Sequence, residues 1–395
     1  TGRQSEALAA YQRVYRLLND ELGVGPGQEL RRVHQLILSS AQEPGEEPPA
    51  IAVRAPVPRL LPVDASAFVG RERELAELDR LRADPDADPS VLVLSGFAGV
   101  GKTALALRWA RRHAGDFPDG QLYVDLRGHR ADRPLSVAEA HARLLAPFGV
   151  PSAQVPAAPH ESTALFRSVL ADRRVLVVLD NALSVEQVRP LLPGTSSCRT
   201  LVTSRDMMTG LVAGEGAHRT TVPPLSPRTA VEVLARIIGR DRTTAEEPAA
   251  LDLARLCGCV PLALRVAAAN LADDPTRGIA DYVEELVDDG LFARLSVEGD
   301  GALDVGVSIG YSYDRLSPRA RAVFHVLANE GPLTVTEVAA RLATPRAPTR
   351  QWVGELVAGH LAIRDDGCRF TVTDFLRRYA HRTTPIRRLA SGSVH

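Results

Sequence analysis

The sequence predicts an α/β fold: a doubly wound parallel sheet, then a purely helical stretch, then a compact unit of helices closed by a β-hairpin. Three observations carry this reading. Short apolar runs without polar alternation recur at 91–94, 122–124, 175–179 and 200–202, the texture of strands buried on both faces. Amphipathic stretches around 102–114, 136–147 and 161–171 separate them, and strands alternating with helices in this way build parallel sheets with crossover connections. After Pro223 and Pro224 the strand-like runs stop and helical spacing takes over.

From the N-terminus, residues 1–40 carry Leu8, Tyr11, Tyr15, Leu18 and Leu22 on one helical face. Gly23-Val24-Gly25-Pro26-Gly27 breaks the period, and Leu30, Val33 and Leu36 restart it. That pattern is a helical hairpin. Two helices cannot bury such stripes alone, so they are expected to cap a larger helical array. A first residue, Thr1, inside a helical pattern marks the chain as a piece of something longer. Residues 41–63 hold six prolines and no periodicity, and are expected to be an extended linker. Residues 64–222 form the α/β domain. Residues 223–303 show helical periods at 227–238, 247–256, 261–272 and near 279–286. Residues 304–381 predict helices at 316–328, 334–342 and 349–360, then a hairpin at 362–363 and 369–372 around Asp365-Asp366-Gly367. Helices closed by a hairpin point to a winged helix. Residues 382–395 are a tail.

A length of 395 residues fits two to four domains. Hydrophobic residues at 45% and charged residues at 24% are the mix of a soluble globular protein, which excludes disorder as the main state. The apolar runs are strand-length, far short of a membrane span, and no leader pattern opens the sequence. The net charge of −1 gives no global attraction to nucleic acid or anionic lipid. Locally, 223–303 holds 8 Arg against 14 Asp and Glu, whereas 304–395 holds 13 Arg against 8. The four cysteines show no zinc-finger spacing, and a reducing cytoplasm is the expected compartment. Of the 47 basic residues all but Lys102 are Arg. An ammonium and a guanidinium are not interchangeable at a phosphate site, so position 102 stands out before any motif is named.

The motif is then Gly96-Phe97-Ala98-Gly99-Val100-Gly101-Lys102-Thr103, which fits G-x-x-x-x-G-K-[ST] in full, directly after the run 91–94 and opening a helical stretch at Ala104. Strand, loop and helix in this order are the context of a P-loop NTPase phosphate loop. Gly96, Gly99, Val100, Gly101 and Ala104 are assigned to phosphate binding, with backbone N–H groups and the helix N-terminus facing the anion. Lys102 would reach the outer phosphates and Thr103 would ligate Mg²⁺. Asp180, at the end of the run 175–179, would hold Mg²⁺ through water. The next residue is Asn181, which can orient a water but cannot take its proton. Hydrolysis is therefore expected to be slow, below roughly one turnover per minute against an enzyme median of about 10 per second, unless another residue assists. Arg205, after the run 200–202, can sense a γ-phosphate, with a surface salt bridge as the competing reading.

These residues resemble, in order and over about 320 residues, the NB-ARC module of the STAND class of signalling ATPases. More narrowly the chain resembles the SARP/AfsR-type transcriptional activators of actinobacteria. Phe68-Val69-Gly70-Arg71-Glu72 is similar to the motif that in the family lies against adenine, and it brings Val69, Gly70 and Arg71 into the candidate site. Asp180-Asn181 and Thr203-Ser204-Arg205 are similar to the second nucleotide motif and the sensor. Gly258-Cys259-Val260-Pro261-Leu262-Ala263-Leu264 resembles the helix start whose proline, here Pro261, packs on adenine. Residues 1–39 resemble the last hairpin of the family's bacterial transcriptional activation domain. The resemblance implies ATP/ADP and Mg²⁺ as cofactors, control of secondary-metabolite genes, and a winged helix acting as a lid. It implies contact with DNA and RNA polymerase only through an upstream domain outside this chain, and homo-oligomerisation when ATP is bound. It implies no membrane partner. The family's histidine–aspartate pair, whose histidine touches the β-phosphate of ADP, is replaced here by Thr373-Asp374. Asp374 is carried over to the site, and a looser ADP lock is expected, one that Thr373→His would tighten by up to roughly tenfold.

Two function classes compete: a nucleotide-gated switch in a transcription factor, and a turnover ATPase of the AAA+ type. A guanine-specific N/T-K-x-D motif is impossible with one Lys. Asn181 favours the switch. The cluster Arg377, Arg378, Arg382, Arg387 and Arg388 is read as a solvated tail, with phosphate contact as the alternative.

Overall fold

The computed structural model describes residues 57–63, 68–83, 90–129, 133–288, 290–297 and 303–383. The expected N-terminal hairpin, most of the linker and the tail beyond Thr383 lie outside the described residues. The chain divides after Pro56, and every described residue belongs to the second unit, Val57–His395.

That unit begins with an extended segment, which pairs with the sheet instead of running free: Gln121 N donates to Pro58 O (2.8 Å) and Leu60 N to Gln121 O (2.9 Å). Helix α1 (Glu72–Ala83) follows, then β1 (Val91–Ser95), α2 (Lys102–Arg112), β2 (Gly120–Asp125), α3 (Val137–Leu145), α4 (Pro159–Leu170), β3 (Val175–Ala182), β4 (Arg199–Ser204) and β5 (His218–Thr221). All strand pairs are parallel, in the order β2-β3-β4-β1-β5. Successive residues of one strand serve opposite faces. Leu92, Leu94, Leu176 and Val178 pack with Leu78, Leu105 and Trp109 of α1 and α2. Val91, Val93, Val175 and Val177 pack with Leu144 and Phe166 of α3 and α4. Burial on both faces is why these strands read as unbroken apolar runs. The edge strand β5, His-Arg-Thr-Thr, carries no apolar run and gave no sequence signal.

The helical part holds α5 (Pro227–Ile238), α6 (Glu247–Leu256), α7 (Pro261–Asp273) and α8 (Ile279–Asp288). Ser226 caps α5 through Thr229 N (3.2 Å), with Pro227 in the first turn. Next come α9 (Val305–Tyr313), α10 (Pro318–Glu330), α11 (Val335–Arg341), α12 (Arg346–Ala358), the antiparallel pair β6 (Ile363–Arg364) and β7 (Phe370–Thr371), and α13 (Asp374–Thr383). One hydrophobic core runs from Leu225 to Ala380 without a break at 303/304. Helix α13 also runs past the expected edge of the tail at 382, and Arg382 donates to Phe292 O (3.3 Å).

Candidate functional site

The C-terminal ends of the parallel strands open onto a cavity of about 960 Å³, where doubly wound sheets place their ligands. The loop between β1 and α2 supplies one wall with Gly99, Val100, Gly101, Lys102, Thr103 and Ala104. Lys102 is buried at the first turn of α2, and its ammonium donates to Gly96 O (2.8 Å) and Phe97 O (2.9 Å). Burial, then the charge of Arg205, lowers its pKa to about 7, with Asp180 opposing. A bound anion would restore the charged form.

Asp180 stands at the end of β3, 6% exposed. Its Oδ1 accepts from Thr103 (2.7 Å) and Thr203 (2.6 Å), and its Oδ2 from Tyr123 (3.0 Å). Burial pushes this carboxyl above the usual carboxylate range, while the three hydroxyls pull against the shift. Thr103 and Asp180 bring a hydroxyl and a carboxylate together, hard oxygen donors of the kind Mg²⁺ takes. Among the described residues no group of three or more His, Cys, Asp or Glu forms a metal site unaided, so phosphate oxygens and water would complete such a shell.

Asn181 lines the cavity beside Asp180 at φ +55. Its N–H donates to Thr203 Oγ1 (2.9 Å) and its Nδ2 to Asp125 Oδ1 (3.4 Å). The pairing register of β3 with β4 shifts here, and this bulge aims successive side chains into the cavity. Arg205 follows β4 and is no surface arginine. It donates to Ser308 O, Ser308 Oγ (3.4 Å) and Ser312 Oγ (3.4 Å), all on α9. Burial lowers its pKa to about 10.

Phe68, Val69, Leu225, Val233 and Pro261 make an apolar end to the cavity, and Arg71 lines it too. Arg71 is buried, donating to Val100 O (2.9 Å) and Glu74 Oε1 (2.8 Å), which ties α1 to the loop. The start of α7 touches the loop directly, through Leu262 N to Gly99 O (3.2 Å).

Three residues assigned from sequence do not line the cavity. Gly70 sits against Thr229, and Gly96 against the Val222 carbonyl. Asp374 is the larger correction. Its side chain is 92% exposed and paired with Arg377 (3.3 Å). Thr373 is exposed too, and its hydroxyl accepts from Leu376 N (3.4 Å) at the start of α13. The C-terminal part reaches the cavity through α9 instead, with Val307, Ser308 and Tyr311. Sequence reasoning also missed Arg265 of α7 and His129, which follows β2. Position at the end of a parallel strand was the available signal for His129.

Residues 1–38 match the family model for the bacterial transcriptional activator domain, and residues 67–251 that for the AAA ATPase domain. Over 391 residues the chain is 38% identical to the regulatory protein AfsR of Streptomyces coelicolor, covering 96% of this chain and 39% of that protein. The AfsR protein of Streptomyces griseus is 38% identical over 388 residues, with the same coverage of each. The chain thus spans about two fifths of the length of these curated relatives. Among solved structures, a Walker-type ATPase of Pyrococcus abyssi has a TM-score of 0.56 at 14% identity, covering 80% of this chain and 96% of that one. The two share the α/β fold read from the apolar runs. No helix among the described residues is long and apolar enough to cross a membrane.

Proposed function

The chain belongs to the SARP/AfsR-type regulatory proteins, and from that premise we propose that its cavity binds an adenine nucleotide whose state controls how the C-terminal part docks on the α/β part. The single observation that carries the reading is one cavity walled by both parts, with Lys102, Thr103 and Asp180 on one side and α9 on the other. In this reading the loop N–H groups and Lys102 hold the phosphates. Val69, Arg71 and Pro261 flank the adenine end. Thr103 would ligate Mg²⁺ and Asp180 would hold it through water, and the ion would neutralise phosphate charge when bound.

Residues 304–381, four helices (α9 to α12) followed by the β6–β7 pair and α13, act as a winged-helix lid. Arg205 is the link between lid and phosphates, because its guanidinium faces the cavity while it bonds α9. The protein is a regulatory module of a cytoplasmic transcription factor, with DNA and RNA polymerase reached through other segments of the activator and with slow hydrolysis resetting the switch. Adenine nucleotide bound to the protein as purified, released by acid and identified by chromatography, is the expected outcome. Lys102→Ala should abolish binding of fluorescent ADP and ATP in a titration while the far-ultraviolet dichroism stays unchanged. Wild-type affinity in that variant would refute the assignment.

A further inference from the structure

One buried polar atom of the cavity is left without a partner. His129 is 7% exposed and lines the cavity beside Asp180, Asn181 and Arg205. The Asn181 side chain is a hydrogen-bonding neighbour that opposes the lowering of the imidazole's pKa, and the imidazole Nδ1 is buried with no hydrogen-bond partner. Asn181 donates one Nδ2–H to Asp125 Oδ1, and its amide oxygen is an acceptor open to the imidazole N–H. A neutral imidazole has one donor nitrogen and one acceptor. Protonation on Nε2 leaves Nδ1 presenting a lone pair. The local backbone holds this arrangement: Gly128 N donates to Asn181 O (2.8 Å) and Arg127 N to Asp125 Oδ1 (2.8 Å). Arg127 and Asn181 both sit at positive φ, 54° and 55°, and backbone held in a sparsely populated region is commonest at functional sites.

We propose that His129 is a catalytic residue for nucleoside-triphosphate hydrolysis in this cavity, its Nδ1 taking the proton of the attacking water that the amide at position 181 cannot take. The inference rests on the proposed nucleotide site. In the step, the water oxygen bonds to the terminal phosphorus. The bond from that phosphorus to its bridging oxygen breaks, and the electron pair leaves with the nucleoside diphosphate. The water's proton passes to Nδ1 and then to solvent. Asp125 and Asn181 are positioning residues that fix the tautomer. Burial, and then the charges of Arg205, Arg315 and Lys102 that face it, lower the imidazole to about 3, so it is neutral and its lone pair is present. A triphosphate among the same cations offsets their charge and raises the imidazole toward the range where a base works best.

The test measures Mg·ATP binding by calorimetry and single-turnover phosphate release from radiolabelled ATP, on the whole chain and on His129→Gln and His129→Ala. Glutamine keeps a partner for Asn181 and deletes Nδ1, so it also guards against an alanine variant that fails to fold. His129→Gln is expected to bind Mg·ATP within about threefold of wild type while release slows on the order of a hundredfold. Wild type is expected to lose rate at acid pH, and that fall should vanish in the variant. Wild-type release by His129→Gln overturns the proposal and leaves the nucleotide site standing, as does a wild-type protein that binds Mg·ATP without releasing phosphate. Loss of binding in the glutamine variant makes His129 a ligand contact and overturns the catalytic role. A wild-type protein that binds no Mg·ATP overturns the nucleotide site and this role together.

Discussion

Gly99→Ala tests the contact on which the cavity is built. Gly99 sits at φ +76, and a Cβ there would lie 2.8 Å from Leu262 Cβ and 3.1 Å from Val260 Cγ1. Holding alanine in the left-handed region costs about 1 kcal/mol. Forcing the methyl against the first turn of α7 adds about 1–3 kcal/mol. Helix α7 is anchored by Ala263, Leu264, Ala267 and Ala268, all fully buried, so it resists movement, and the loop yields. A displaced loop misdirects the N–H groups that meet the phosphates. The strain of about 2–4 kcal/mol then appears as weaker binding, a factor of about 30 to 1,000 in Kd.

The assay is titration with a fluorescent ADP analogue beside a urea melt of the nucleotide-free protein. Gly149→Ala is the control: φ is +81 there, and a Cβ meets nothing within 4 Å. It should lose about 1 kcal/mol of stability through the backbone alone and bind ADP as wild type does. If Gly99→Ala binds ADP within twofold of wild type and melts at the same urea concentration, the loop and α7 are not in contact and the reasoning fails.

Asp180→Asn should raise the urea midpoint of the nucleotide-free protein at pH 8 while abolishing Mg²⁺-dependent binding. Burial raises the native carboxyl's pKa, so the native state binds more protons than the unfolded chain and wild-type stability falls as pH rises through that value; the variant's advantage must shrink toward pH 4, and an advantage independent of pH would refute this cause. Thr373→His should leave ADP affinity within twofold of wild type, because residue 373 faces solvent; tenfold tighter binding would restore the family's ADP lock and displace α9 as the contact. Arg205→Ala removes the hydrogen bonds to Ser308 and Ser312, and with one such bond worth about 1–3 kcal/mol amide exchange in α9 should speed by about tenfold or more, where unchanged protection would show that Arg205 does not hold the helix.

Elements with strong local signals were legible. The helix at 227–238 was read from its apolar period, and Ser226 and Pro227 at its start and Gly239 at its end bound it in the structure. Strands β1 to β4 announced themselves by burial on two faces. Where the signal came from distant partners, reading failed. Helix α9, Val-Gly-Val-Ser-Ile-Gly-Tyr-Ser-Tyr, has two glycines and two β-branched valines, a composition that argues against a helix. Its N-cap Asp304 and its packing on Phe292 and Tyr379 override that weak local preference. The strand β5 is likewise held by pairing with β1 rather than by its own residues.

The site divides along the same line. That Lys102, Thr103 and Asp180 meet at one cavity was legible because the loop motif is local in sequence, and a buried strand end adds only one further position. Asp374 was placed by its neighbours in sequence, yet the orientation of α13 is set by Phe375. That ring packs at 5.1 Å from Phe292 and 6.4 Å from Phe97, and it lies so close to Gly258 that a Cβ there would meet it at 2.8 Å. Seating Phe375 inward at the first turn of α13 turns Thr373 and Asp374 outward, since neighbours on a helix face different ways. Phe97 belongs to the phosphate loop itself, and its carbonyl holds Lys102. The C-terminal part therefore meets the loop through an aromatic contact where the resemblance implied a polar one. Dispersion and apolar burial hold that contact, so salt should leave it intact while a shift of the loop loosens it.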